Sequence, residues 1–227
     1  IIGNYEFNFE KYAKKKDMQI MKSRESEDLL FKDFIQKSLN NNPPYYYLAD
    51  KDLEQEKNLI DDSIFDDITG KLDYFFGTCE QNNLFVGIDC LSACHIHVTE
   101  DFILNQLVGD KIVYLFDYNE NYVTTRNMLT KTFNFSRENF FKMSHEGKNI
   151  YKVVLKPGDS LCIPPWWWHA VQGVDFSCSI TKIFKRKNNK YLNKDNYLFV
   201  LSIRQKISEF ILGIYIYIID TLEFLLT

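Results

Sequence analysis

Three of the chain's four histidines fall in two short stretches. His95 and His97 sit in Ser92-Ala-Cys-His-Ile-His, and His169 closes Pro164-Pro-Trp-Trp-Trp-His about 70 residues later. On a strand, His-x-His puts both imidazoles on one face, because side chains alternate with period 2. A third imidazole presented at the end of another strand completes a three-point site for zinc or iron. Glu100 and Asp101 follow closely enough to offer a carboxylate instead, Glu100 through a bulge that turns it inward. Neutral nitrogen donors of this kind suit metal-assisted chemistry. The ordinary reading of a Trp-rich, Pro-flanked histidine is a core corner, and the paired stretches favour the metal.

The elements that must hold these residues are strands. Pro157-Gly158 signals a turn, Ser160 to Ile163 is an apolar run of strand length, and Pro164-Pro165 ends it. Leu84 to Ile88 predicts the strand before His95, Gln106 to Lys111 leads into another, and Ile150 to Leu155 alternates. Tyr45 to Leu48 reads as an aromatic strand after Pro43-Pro44. Ser26 to Leu39 has a capping-type serine and apolar residues at 30, 31, 34, 35 and 39, which predicts a helix. Residues 1–24, polar and basic, are expected to wrap loosely. Leu53 to Ile68 predicts an acidic loop with helical turns. Residues 119–147, which include His145, lack a period and predict an excursion lining a substrate mouth.

With both histidine stretches in place, the chain resembles the jumonji-C-like (cupin-like) iron(II) and 2-oxoglutarate oxygenases. That family's pattern is carried by Ser92-Ala-Cys-His95-Ile-His97, by Asp101-Phe102, by Gln106-Leu-Val-Gly109-Asp-Lys111, and by Pro157 to His169, which matches position by position. The match needs one extra residue between Phe102 and Gln106. It covers roughly residues 25–187. The resemblance implies a mainly β fold, a double-stranded β-helix (jelly-roll or cupin barrel) with N- and C-terminal helices. It implies three regions: an extension over 1–24, the domain over 25–187 and a helical region over 188–227. It further implies iron(II) and 2-oxoglutarate as cofactors and a hydroxylase or demethylase acting on a protein or nucleic-acid substrate. His95, His169 and one of His97, Glu100 or Asp101 would hold the metal. Lys111, Ser92 and Thr181 would bind the co-substrate, and Trp166 and Trp168 would wall the cavity.

Two departures from the pattern keep alternatives open. His97 stands where the family carries its carboxylate ligand, and the strand after His169 offers Ser179 and Thr181 where a typical member offers asparagine. The alternatives are a barrel that has lost its chemistry and binds a protein, or a three-histidine cupin dioxygenase without 2-oxoglutarate. An isolated Lys111 would ordinarily read as a surface residue at a strand start, and the flanking motif reverses that reading.

Composition excludes some classes. A net charge of −4 and a pI near 5.6 argue against a general electrostatic grip on nucleic acid. Five cysteines without a C-x-x-C pair read as reduced thiols, which points to an intracellular protein, cytoplasmic or nuclear. Cys94 and Cys162 neighbour the site and are expected to be packing residues. The chain opens at Ile1 without an initiator methionine or a leader pattern, as a truncated or processed start would. In the apolar tail, Phe210 to Ile219 is shorter than the roughly 20 residues of a membrane span. A helix pair packed on the barrel, or on a second subunit in a homodimer, is the expectation there.

Overall fold

Glu6-Phe-Asn-Phe-Glu10 alternates, and strand β1 (Glu6–Tyr12) buries Phe7 and Phe9 while Glu6 and Asn8 face solvent. These residues, expected to wrap loosely, are therefore a paired strand. A computed structural model of the chain describes residues 4–14, 18, 25–40, 42–53, 78–97, 100–118 and 134–185. Strand β2 (Glu25–Leu30) pairs antiparallel with β1, from Glu6↔Leu30 to Lys11↔Glu25. That pairing takes Ser26 to Leu30 out of the expected helix. Helix α1 (Phe31–Leu39) starts only afterwards, with no side-chain cap and with the Phe31 N–H donating to the Tyr5 carbonyl at 2.8 Å. Phe34, fully buried, stacks on Phe9 with ring centroids 4.3 Å apart. Among the described residues α1 is the sole α-helix, so the expected N-terminal helices reduce to this one.

The remaining strands are β3 (Tyr45–Asp52), β4 (Thr78–Ile88), β5 (Leu91–Ile96), β6 (Glu100–Asp117), β7 (Tyr151–Leu155), β8 (Ser160–Ile163) and β9 (Trp167–Lys185). They form one antiparallel sheet in the order β2-β1-β3-β4-β9-β6-β7, with β5 also on β9 and β8 also on β6. One apolar cluster lies under α1 and includes Phe9, Phe34, Leu48 and Val86. A second, including Leu104, Val113, Leu155 and Ile163, joins β6 to β9. Contacts divide the chain into two units, Ile1–Arg186 and Lys187–Thr227. The second unit, with the expected C-terminal helices and dimer contact, lies outside the described residues. So does the acidic stretch 54–68. No described helix is long and apolar enough to cross a membrane.

Two positions outside the site carry measurable consequences. Gly109 has φ +68°, and a Cβ there would lie 1.9 Å from the Phe176 carbonyl oxygen. Gly109→Ala is expected to destabilise by about 2 kcal/mol or more in urea unfolding, since left-handed strain and a backbone clash add. Glu27 accepts hydrogen bonds from Lys37 at 2.7 Å and Tyr46 at 3.0 Å and pairs with Lys11 at 3.1 Å. Bonds from Lys37, Lys11 and Tyr46 hold its carboxyl at about 2. This stabilisation is present above the unfolded carboxylate range and fades as pH falls towards 2. Glu27→Gln should flatten that acid decline and lower stability at pH 7 by less than about 1 kcal/mol, because the pair is solvent-screened.

Candidate metal centre

The histidine cluster is built on two strands. β5 supplies His95, and His97 follows directly on its end. β9 supplies His169, whose register partner is His95. Directly opposed residues of an antiparallel pair share a face, so the register alone brings two imidazoles together. Ring centroids lie 4.1 Å apart for His95 and His169, 4.8 Å for His95 and His97, and 5.1 Å for His97 and His169. Their ligand nitrogens all lie within 4.8 Å of one another.

Local bonds orient the rings. His95 Nδ1 bonds the Ala93 carbonyl at 2.7 Å, and His169 Nδ1 bonds the Trp167 carbonyl at 3.1 Å. A backbone carbonyl accepting from Nδ1–H fixes the tautomer and leaves the Nε2 lone pair free, the usual support of a metal-binding histidine. His97 stacks on Phe102 at 3.6 Å, and Phe135 stacks on His95 at 5.0 Å. Trp166, at φ +70°, donates its backbone N–H to the His97 carbonyl at 2.9 Å and so ties the end of β5 to the start of β9. Burial pushes all three imidazoles down, helped for His97 by His95 and His169 and for His169 by His95. Neutral rings with free lone pairs are what a divalent metal requires. Around a common ion, bonds of about 2.1 Å need nitrogens some 3 to 4 Å apart, so a contraction of about 1 Å suffices. The donor set fits a metal.

A cavity of about 270 Å³ opens from this cluster, at the small end for a ligand site. Ser92, Lys111, Ser179 and Thr181 line it with the three histidines. Lys111 is 2 % exposed and donates to the Ser179 hydroxyl. Burial pushes its ammonium down, and no described carboxylate pairs with it. Its aim depends on a bulge. Phe102 and Leu104 of β6 face the cavity, so strict alternation would turn Lys111 away; register shifts between Gln106 and Asp110 restore its direction. Gln106 clamps this bulge by donating to the Val108 and Gly109 carbonyls, both at 2.8 Å.

Other expected residues stand elsewhere. Glu100 and Asp101 are outside the histidine cluster and do not line the cavity; Asp101 is fully buried on the opposite face of β6 from Phe102. Trp166 and Trp168 are also absent from the cavity wall, a correction to the expected role. Alternation along β9 sends Trp168 to the other face, against Phe116 at 6.3 Å. Cys94 is buried and Cys162 exposed, and neither joins the histidines. Sequence reasoning missed Glu10, Asp50, Phe85, Asn134 and Phe135 as lining residues. For Asn134 and Phe135 there was a signal, the expectation that residues 119–147 line the mouth. The described end of that segment pairs with β5 through Ile96 N–H to the Asn134 carbonyl at 3.0 Å and Ser136 N–H to the Cys94 carbonyl at 2.8 Å.

An antiparallel jelly-roll sheet with a three-histidine cluster at one end of its longest strand pair defines a cupin-type domain. The sequence model of the cupin-like domain matches residues 5–190, and the chain belongs to that family. No curated protein matches it. Among solved structures it is similar to a cupin superfamily protein from Desulfitobacterium hafniense, at 17% identity over 47% of this chain and 67% of that one, with a TM-score of 0.29. It is also similar to the Drosophila melanogaster CENP-C cupin domain, at 10% identity over 45% and 55%, TM-score 0.31. KdgF from Halomonas sp. shares 16% identity over 49% and 74%, TM-score 0.30. Likenesses this small leave the family match to carry the assignment.

Proposed function

We propose that this domain is an iron(II)- and 2-oxoglutarate-dependent oxygenase acting on a protein or nucleic-acid substrate, with His95, His97 and His169 holding the metal. The observation that carries the reading is Lys111, a buried ammonium facing the same cavity as three neutral imidazoles. A divalent ion there would add to the lysine's charge with no carboxylate ligand to offset it. A 2-oxo dicarboxylate supplies two negative charges, one end for the metal and the other for Lys111, and an unpaired buried ammonium is costly. Ser92, held by the Tyr47 hydroxyl at 3.1 Å, with Ser179 and Thr181, offers hydroxyl partners to that acid. Burial holds the Tyr47 phenol well above its ordinary value, so it stays a neutral hydrogen-bonding group. Phe102, Phe135 and Leu104 give the cavity an apolar wall beside the histidines. Bound iron would supply oxygen activation coupled to decarboxylation of 2-oxoglutarate to succinate and carbon dioxide, one oxygen atom entering succinate and the other the substrate.

A second reading, a three-histidine dioxygenase that needs no 2-oxoglutarate, is favoured by His97 completing the cluster in place of a carboxylate. Anaerobic reconstitution with iron(II), followed by iron analysis and succinate measurement, separates the two. Iron with 2-oxoglutarate-dependent succinate supports the oxygenase. Iron that ignores 2-oxoglutarate favours the second reading, and failure to bind either leaves a protein-binding barrel.

A further inference from the structure

Strand β9 turns alternate residues to the cavity along its length, His169 and Val171 before its irregular middle and Ser179 and Thr181 after it. Its partner β6 does not. Phe102 and Leu104 face the cavity from one half of β6 and Lys111 from the other, so one residue too many lies between them for strict alternation. The break falls where Gln106 pairs with Ser179, Val108 with Cys178 and Asp110 with Val174. Gln106 stands at that break, fully buried, and is not among the residues that line the cavity. Its Nε2 reaches the Ser177 hydroxyl at 3.0 Å as well as the two bulge carbonyls of Val108 and Gly109. Its Oε1 is buried with no hydrogen-bond partner among the described residues. Turning the amide over would set that oxygen against two carbonyl oxygens, so the orientation is forced. An orphaned buried acceptor is costly, and a hydrocarbon of the same shape would avoid the cost. The compensation lies at the NH2 end, which holds the bulge.

We propose that Gln106 is a positioning residue: its amide holds the extra residue of β6 in place and thereby turns Lys111 into the cavity. Gly109, at φ +68°, permits this turn of the backbone but has no side chain to lock it. Without the amide, the Val108 and Gly109 carbonyls lose their shared donor and β6 relaxes towards strict alternation, which points residue 111 at the other face of the strand. Asp110 and Ile112 are partly exposed there, so an ammonium on that face is hydrated instead of buried. The consequence for function rests on the oxygenase reading: an acid anchored by Lys111 depends on Gln106, a residue outside the cavity wall. The aim of Lys111 itself does not rest on that reading.

Limited acetylation of the full chain with acetic anhydride, read at each lysine by peptide mass spectrometry, follows the aim of Lys111 in metal-free protein. In the wild type, buried Lys111 and Lys182 should stay unreacted while exposed Lys156 reacts. Gln106→Met should raise Lys111 labelling at least about tenfold and leave Lys182 protected, since a local rearrangement needs no global unfolding. Ser177→Ala is the control: it removes a hydrogen bond from the same amide but leaves both bulge carbonyls held, so Lys111 should stay protected. Gln106→Asn, whose amide stops one methylene short, should label at an intermediate rate, and it decides the matter if the methionine variant does not fold. Calorimetry with manganese(II) and 2-oxoglutarate reads the consequence. Manganese uptake by Gln106→Met should be unchanged, while 2-oxoglutarate should bind at least about tenfold more weakly. Lys111 that stays protected in Gln106→Met, or that becomes reactive only together with Lys182, overturns the proposal. Equal labelling of Lys111 in Ser177→Ala also overturns it, because any lost hydrogen bond would then have the same effect. Selective Lys111 labelling in Gln106→Met, with a wild type that never binds 2-oxoglutarate, supports the proposal and counts against the oxygenase reading alone.

Discussion

His169→Ala is expected to abolish metal retention: on the proposed reading, bound iron should fall from about one equivalent to background, and 2-oxoglutarate-dependent succinate formation should fall by at least a hundredfold. Losing a residue that merely supports a ligand costs about 10- to 100-fold in metal affinity or activity, so deleting one of three ligands sets a larger lower bound. His169 is the member with the most structural support, buried on β9, opposite His95 in register and bonded to the Trp167 carbonyl. Calorimetric titration of the anaerobic apoprotein with iron(II) reads the effect directly. A thermal melt of the metal-free variant provides the control, since a small apolar side chain replaces a buried ring. Full iron content in His169→Ala would remove the central assignment.

Lys111→Met is expected to have opposite effects on stability and function. The folded-state ammonium lies below its unfolded value because burial disfavours charge. A depressed folded value means that the buried charge opposes folding at neutral pH, and that the opposition lifts as pH rises through the folded value towards the unfolded one. Methionine fills similar space without a charge, so the variant should gain about 1 to 4 kcal/mol in urea unfolding at pH 7. The gain over wild type should shrink as pH approaches 10. Iron content should remain unchanged while 2-oxoglutarate affinity drops about a hundredfold, the loss expected when one partner of a buried charged contact is removed. An unchanged 2-oxoglutarate requirement in Lys111→Met would favour the three-histidine dioxygenase.

Parts of the fold and site were legible in the sequence where the determinants are local. Pro157-Gly158, the short run Ser160 to Ile163 and the Pro164-Pro165 stop correspond to β8 and the return into β9. His-x-His placed two rings together through period 2 alone. The same rule sets Trp168 on the face opposite His169, against Phe116 and away from the cavity wall that the resemblance implies for it. Ser26 to Leu39 shows the opposite failure: its helical stripe is real from Phe31 onward, but pairing with β1 claims the first residues. No local pattern in the sequence connects Glu10 and Asp50 with His95, because each reaches the cavity through strand pairings between distant segments. The aim of Lys111 likewise depends on a bulge whose only sequence sign is Gly109.

The long pairing of β6 with β9 has a kinetic meaning. Lys111 and Ser179 meet across 68 residues of chain, and Gln106 and Ser177 across 71. Closing loops of that length precedes any reward from the contacts, so folding dominated by such pairs is slow. His95 and His169 become neighbours only when β9 has docked on β5. A metal held by all three histidines would therefore be captured late, and the time course of metal uptake during refolding should report completion of the sheet instead of guiding it.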